Sequence, residues 1–458
     1  MVKHDAIIIG TGQAGPSLAG RLAGAGMDVA IIERKFFGGT CVNTGCIPTK
    51  TLVASAYAAH LARRAADFGV TISGTISVDM KAVKARKDTV LGKSKVGLET
   101  YLKGLKGCTV YEDQARFLSP RGVAVGNKLL SADKIFINVG GRALVPKIDG
   151  LEQIHYLTNS SMLDIDFLPR HLIIVGGSYV GLEFAQIYSR FGSEVTVVEL
   201  ASRLIAREDE DVSEAMTAIL KREGIGVRTG AECLSVTKNG EEISVRLGCL
   251  EGPDKVTGSH LLLAVGRRPN TDDLALEKAG VFINTKGYIE VDDFLQTNVP
   301  GIWALGDCNG RGAFTHTSYN DFEIVAANLL GNEQRRVTDR ITAYNLYTDP
   351  PLGRAGMTEA EVRASGRPAL IATMPMERVG RAFEKGETQG FMKILVDAET
   401  KLILGASLLG VGGDEVIHTI LDLMYAKAPY TVMQKAMHIH PTVAELLPTM
   451  LNELKPLL

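Results

Sequence analysis

Two stretches of this chain follow the same local plan, and that repetition limits its fold more than any other feature. An apolar strand at Ala6–Ile9 runs into Gly10-Thr11-Gly12-Gln13-Ala14-Gly15, a helix follows over Gly15–Gly26, and a second strand at Val29–Ile32 ends in Glu33. The plan returns as a strand at His171–Val175, the turn Gly176-Gly177-Ser178-Tyr179-Val180-Gly181, a helix over Leu182–Phe191, and a strand at Glu194–Val198 ending in Glu199. In both copies the acid lies 23 residues after the first glycine. Strand, glycine turn, helix and strand in this order read as a βαβ unit. The glycines permit a tight turn and the close approach of a pyrophosphate, whose charge rests on the helix N-terminus, and the acid is placed to accept from a ribose. An α/β chain with two Rossmann-like nucleotide-binding domains is expected.

The two loops differ at one position. Gly10, Gly12 and Gly15 complete the G-x-G-x-x-G pattern, whereas Ser178 stands between Gly176 and Gly181 where the middle glycine would be. A side chain there holds a phosphate further off, which suits a cofactor that leaves at each turnover. FAD is therefore assigned to the first loop and the nicotinamide cofactor to the second. Glu199 argues for NAD(H) over NADP(H), because a carboxylate binds a 2′-hydroxyl and repels a 2′-phosphate. Arg203 and Arg207 keep NADPH open, against the plainer reading that they form a solvated face beside a helix.

At 458 residues the chain has material for about three domains. Helical stretches at Thr49–Ala66 and Val83–Leu105 follow the first unit, and strands at Glu241–Leu247 and His260–Val265 follow the second. Gly301–Asp307 and a helix near Asn320–Leu330 come next. From about Thr338 the pattern changes to strands (Phe391–Val396, Ile403–Leu409) and helices (Asp414–Ala426, Thr442–Lys455). The expected division is 1–149 for the FAD-binding part, 150–267 for the NAD(P)-binding domain, 268–337 for a return to the FAD-binding domain, and 338–458 for a separate α+β domain.

The balance of 50 Lys+Arg against 52 Asp+Glu, with no polybasic run, argues against nucleic acid or an anionic membrane as partner. No apolar stretch reaches the roughly 20 residues of a membrane span, and VKHDAIIIGTG lacks the regions of a signal peptide. A cytoplasmic enzyme is the expectation. Of six cysteines, Cys108, Cys233, Cys249 and Cys308 are scattered singly and read as buried apolar side chains. Cys41 and Cys46 are the only close pair.

That pair lies in Gly38-Gly39-Thr40-Cys41-Val42-Asn43-Thr44-Gly45-Cys46-Ile47-Pro48-Thr49-Lys50. Five residues on an ideal helix separate side chains by about 140°, too far for a disulfide, which needs Cα atoms within roughly 7 Å. Gly45 and Pro48 can break that regularity, and a distorted helix start would also lower a thiolate's pKa. A zinc site lacks a second ligand pair. On spacing alone, two unrelated buried cysteines also remain open.

With GTGQAG, GGTCVNTGCIPTK, GGSYVGLE, AVGRRPNT, IWALGDC and HIHPTVAE in this order over nearly the whole chain, the sequence resembles the class I pyridine nucleotide–disulfide oxidoreductases, in the branch of dihydrolipoamide dehydrogenase and mercuric reductase. The resemblance implies that Cys41 is the interchange thiol and Cys46 the thiol against the flavin. It implies that Lys50 and Glu183 pair beside the flavin's reducible edge, that Tyr179 covers the flavin until the nicotinamide enters, and that Asp307 holds the ribityl chain. Gly39, Thr40 and Gly140 would join the FAD site and Gly266 the nicotinamide site. His440 and Glu445 resemble the acid–base pair, in which a histidine takes a proton from a dithiol and a carboxylate sets its tautomer. His438 is assigned to structure. The tail would be a dimerisation domain, giving a homodimer whose active sites are shared between subunits. No resident metal is implied.

For substrate, CVNTGCIPTK and Phe314-Thr315-His316-Thr317-Ser318-Tyr319-Asn320-Asp321 are similar to mercuric-reductase-like proteins, yet the chain ends NELKPLL without that enzyme's terminal cysteine pair and shows no amino-terminal metal-binding domain. Cys41, Cys46, His440 and Glu445 suffice for lipoyl dithiol oxidation with NAD, on a small dithiol or a lipoyl-carrier protein, and that reading is narrowly preferred. A metal-ion or other disulfide reductase is the alternative, with glutathione disfavoured by Glu199. A flavin-bearing redox sensor or subunit with little turnover is the rival of another class. An NADH oxidase or peroxidase would ordinarily need one cysteine.

Overall fold

A computed structural model describes residues 1–248 and 253–457. Cys249 lies outside the described residues. The first glycine unit builds a five-stranded parallel sheet in the order Ile302–Ala304, Lys134–Ile137, Ala6–Ile9, Val29–Glu33, Cys108–Glu112. Ile7 and Ile9 enter one core cluster and Ala6 and Ile8 another, so this strand is buried on both faces. Such burial is why it reads as an unbroken apolar run. The second unit repeats the design with parallel strands in the order Gly226–Arg228, Glu194–Val198, His171–Val175, His260–Leu263. Leu172 and Ile174 pack to one side, Ile173 and Val175 to the other.

The likeness of the two units extends to single hydrogen bonds. Gly10 N–H donates to Ile32 O and Gly176 N–H to Val198 O, both at 2.8 Å. Both glycines have strongly positive φ, 105° and 117°, and a Cβ on either would lie 2.3 Å from a carbonyl oxygen of the neighbouring strand's end, Asn138 or Ala264. Only glycine fits there.

The C-terminal part forms a six-stranded antiparallel sheet in the order Ala343–Leu346, Leu352–Gly356, Ile403–Leu409, Phe391–Asp397, Ala369–Pro375, Lys455–Pro456, backed by the helix Gly413–Tyr425. It is tied to the second unit by Arg190, 6% exposed, which bridges Glu223 and Asp349 at 2.7 Å each. Among the described residues, no helix is long and apolar enough to cross a membrane.

Several element bounds depart from expectation. The helix expected over Thr49–Ala66 is Cys46–Arg63, because Gly45, at φ −138° and ψ −117°, breaks the chain and Pro48 then fits the first turn, where no N–H is needed. The helix expected near Asn320 starts at Thr315. The long tail helix shrinks to Leu446–Leu451. Thr442 Oγ1 accepts from Glu445 N–H in a turn before it, and beyond it Lys455 is drawn into the sheet beside Ile371.

Candidate active site

The segment Gly39–Asn43 forms a short helix laid across the first glycine loop, and a Cβ on Gly39 would come within 2.8 Å of Gly12 Cα. This close approach leaves no room for a side chain at Gly39, whereas a Cβ on Gly12 would meet the Asn138 side chain at 3.3 Å. In the second loop the equivalent Ser178 is exposed and extended. The acid of each unit accepts from its own loop. Glu33 takes Thr11 N–H at 3.1 Å and Thr11 Oγ1–H at 2.6 Å, and Glu199 takes the N–H of Gly177 and that of Ala201. A carboxylate has about four lone-pair sites, so both retain capacity for a ribose hydroxyl. Arg203 donates to the carbonyls of Ala206 and Glu208 within its own turn, and Arg207 is exposed.

Cys41 ends up on the short helix and Cys46 in the first turn of the next, with the break at Thr44–Gly45 turning their sulfurs into hydrogen-bonding reach. The Cys46 thiol is pulled down to about 6, first by the hydrogen bond from Cys41, against burial, and further by Thr315 Oγ1 at 3.1 Å and the positive charge of Lys50. Cys41 is pushed the other way by that same bond and by burial, so it keeps its proton. The unpaired N–H groups at the helix start add to the stabilisation of a Cys46 thiolate. In the reduced protein, ultraviolet thiolate absorbance is expected to rise by one thiolate per chain as pH passes about 6. A Thr315→Ala variant moves that midpoint upward, and an unmoved midpoint would count against Thr315 as a donor to the thiolate.

Lys50 reaches Glu183 at 2.7 and 2.9 Å, joining the cysteine helix to the helix Tyr179–Phe191. Glu183 is 5% exposed and also accepts Tyr347 N–H at 3.1 Å, so this is no surface pair. The Tyr347 ring lies 4.7 Å from Lys50 Nζ. Asp307 sits 3.2 Å from Arg267, which also donates to Gly141 O and lies 3.4 Å from Thr40 Oγ1. Burial raises the Asp307 carboxyl, and Arg267 opposes this. Gly140 and Gly266 have positive φ and open space where a Cβ would be, at the ends of the two sheets. Two glycine loops of pyrophosphate geometry, with Asp307 linked through Arg267 to Thr40 beside Cys41, fit FAD on the first unit and a nicotinamide dinucleotide on the second.

His440 Nδ1 lies 3.0 Å from Glu445. Because a carboxylate only accepts, Nδ1 carries the hydrogen in the neutral ring and Nε2 is left as its acceptor nitrogen. The histidine side chain is 81% exposed, beside Met437 and Ile439, which are 97% and 79% exposed. His438 turns its Nδ1 to Ala436 O at 3.1 Å. Cys308 is buried as expected, whereas Cys108 and Cys233 are only half-buried. Burial pushes Cys108 and Cys233 up to about 11 and Cys308 up to about 12, so all three stay protonated. Thr315 and Arg267 were not singled out from sequence, although both lie inside the stretches FTHTSYND and AVGRRPNT.

Two dinucleotide-binding units sharing a dithiol define a flavoprotein disulfide oxidoreductase. Residues 4–321 match the pyridine nucleotide-disulphide oxidoreductase family and residues 342–451 its dimerisation domain, so the chain belongs to this family and has the domain through which its members form homodimers. It is an FAD-dependent, NAD(P)H-linked enzyme acting on sulfur groups. Among its relatives is the "Probable pyridine nucleotide-disulfide oxidoreductase RclA" of Escherichia coli, 36% identical over 97% of this chain and 98% of that one. A solved structure of that protein, titled "Cu(II) complex of HOCl-induced flavoprotein disulfide reductase RclA", matches with a TM-score of 0.90 at 35% identity, covering 99% of this chain and 100% of the other. The mercuric reductase of Streptomyces lividans is 33% identical over 97% and 94% of the two chains, and the dihydrolipoyl dehydrogenase of Thermus scotoductus 32% over 97% and 96%.

Proposed function

We propose that this protein works in the reductive direction, using NADH to reduce a small disulfide or a soft metal ion at Cys41 and Cys46. The observation that carries the reading is the asymmetry of the thiols: Cys46 is held as a thiolate beside Lys50, while Cys41 keeps its proton until a base removes it. FAD held by the Gly10, Gly12 and Gly15 loop and by Asp307 would supply the two electrons, drawn as hydride from the nicotinamide, that reduce the Cys41–Cys46 disulfide. His440, oriented by Glu445 and offered by the other subunit, takes the Cys41 proton. The Cys41 thiolate then attacks an acceptor sulfur, Cys46 displaces the product from the mixed disulfide, and His440 returns the proton to the leaving thiol. The sum is NADH, a proton and a disulfide giving NAD⁺ and two thiols. Tyr179, at the head of the helix after the second loop, would cover a bound flavin until nicotinamide arrives. Glu199, with Arg203 turned inward, favours NADH.

Reduction of a disulfide or metal ion is placed ahead of lipoyl dithiol oxidation because relatives at 35% and 33% identity are described as a flavoprotein disulfide reductase and a mercuric reductase. Among the described residues no group of three or more His, Cys, Asp or Glu is placed to hold a metal ion, so a metal would meet the two thiols as a substrate. Dihydrolipoamide oxidation is the second reading, supported by the presence of Cys41, Cys46, His440 and Glu445 together. The test compares NADH oxidation driven by Cu(II), Hg(II) and a small disulfide with dihydrolipoamide-driven NAD⁺ reduction, all on the holoenzyme. Acceptor reduction is expected to be faster by about tenfold or more, a barrier difference of about 1.4 kcal/mol. The opposite ranking would return the protein to the lipoyl reading.

A further inference from the structure

The acidic run Glu208-Asp209-Glu210-Asp211, which leads into the first turn of the second unit's helix Glu210–Arg222, meets two buried cations of the C-terminal sheet. Lys393, 1% exposed, lies 3.0 Å from Asp209 and 2.8 Å from Asp211, and Asp209 also accepts the N–H groups of Glu359 and Ala360. This clamps the run between two domains. Glu208, whose side chain is fully buried, faces Arg354 Nε at 3.9 Å with one oxygen. Its other oxygen accepts two phenols, Tyr344 at 2.6 Å and Tyr179 at 3.2 Å. Burial keeps both tyrosines protonated, so they donate.

Tyr179 is the only one of these groups that also belongs to the second glycine loop. Its ring packs edge-on against Tyr344 and Phe314, with centroids 5.5 and 6.2 Å apart, and Phe314 precedes Thr315, the partner of Cys46. The hydroxyl end of its side chain is thus held by a fixed carboxylate, and its ring packs on the residue next to the Cys46 partner. The longer of the two phenol bonds is the one that can yield while Tyr344 keeps Glu208 in place.

We propose that Glu208, braced by Arg354, is a positioning residue that latches Tyr179 in the closed position, so that nicotinamide must break the Tyr179–Glu208 bond to enter. The proposal rests on the reading of Tyr179 as the cover of the flavin. If part of the binding free energy goes into opening, apparent affinity is reduced by the fraction of open protein. Removing the latch should therefore tighten binding, by about tenfold for one charge-assisted hydrogen bond at the weak end of its range.

The experiment is calorimetric titration of the oxidised holoenzyme with NAD⁺, or with NADP⁺ if that is the nucleotide wild type binds. Tyr179→Phe, which removes only the hydroxyl and leaves Glu208 with Tyr344 and Arg354, is expected to bind about tenfold tighter. Glu208→Gln, which removes the charge but keeps an accepting oxygen, is expected to bind more tightly than wild type and no tighter than Tyr179→Phe, and the double variant to go no further than Tyr179→Phe. Should Glu208→Gln fail to fold, Tyr179→Phe decides alone. Unchanged or weaker binding by Tyr179→Phe overturns the latch, as do additive effects in the double variant. Tyr179→Ala separates the two levels: if it changes affinity while Tyr179→Phe does not, the cover stands without the latch, and if neither changes it, the reading of Tyr179 fails as well.

Discussion

A Cys46→Ser holoenzyme is expected to lose acceptor-dependent turnover by about a thousandfold or more, the range seen when a nucleophile is removed, while its flavin is still bleached by NADH. The nicotinamide half of the reaction uses the second glycine loop and the flavin, and hydride transfer between them does not pass through the Cys46 sulfur. The acceptor half needs two sulfurs, one to exchange and one to resolve. Serine at Cys46 leaves Cys41 able to form a mixed disulfide but with no thiolate to release it, so one acceptor equivalent should remain bound per chain. Cys41→Ser should lose turnover equally and trap nothing. Steady-state NADH oxidation beside anaerobic stopped-flow flavin reduction separates the two halves. If either variant kept its turnover, the acceptor would be meeting the flavin directly, and the thiol asymmetry would have no part in the main reaction.

His440→Gln is expected to lower kcat/KM for a disulfide acceptor by about 10²–10⁴, the usual contribution of a positioned acid–base group. The need is set by Cys41, whose proton is held by its bond to Cys46 and by burial. Glutamine keeps the size and a hydrogen bond to Glu445 but cannot carry a proton back and forth. Mixed dimers test where the histidine acts. A Cys41→Ser subunit joined to a His440→Gln subunit assembles one site from an intact Cys41 and an intact His440 if the pair works across the interface. Such a mixed dimer should regain about half of the wild-type rate, one working site of two, although each parent is nearly inactive. No recovery on mixing would place the histidine in its own subunit's site or out of the reaction.

Much of this machinery was legible in the chain because it is local. The turn at Gly10 and the turn at Gly176 each need positive φ and an absent Cβ, a demand written into single positions. Glu33 and Glu199 sit one βα span downstream, where parallel pairing returns the chain beside its own glycine loop. Parallel strands buried on both faces announced themselves as apolar runs, and Gly45 marked the break that allows Cys41 and Cys46 to meet.

The helix beginning at Cys46 rather than Thr49 was less visible, since Pro48 reads as a breaker unless it is known to lie in a first turn. Thr315 is 269 residues from Cys46, Glu183 is 133 from Lys50, and Tyr344 is 136 from Glu208. For Lys50 and Glu183 the family resemblance supplied the pairing; for Thr315, and for Glu208 with Tyr344, nothing in the spacing did. The chain's own pattern determined the two nucleotide units, because each depends on residues close together in sequence, whereas the roles of Cys41 with Cys46 and of His440 with Glu445 came with the family resemblance. Only tertiary packing decided which thiol holds the negative charge, which arginine was turned inward, and which carboxylate grips Tyr179. Those outcomes depend on burial and on partners from other domains, and neither is recorded in local spacing.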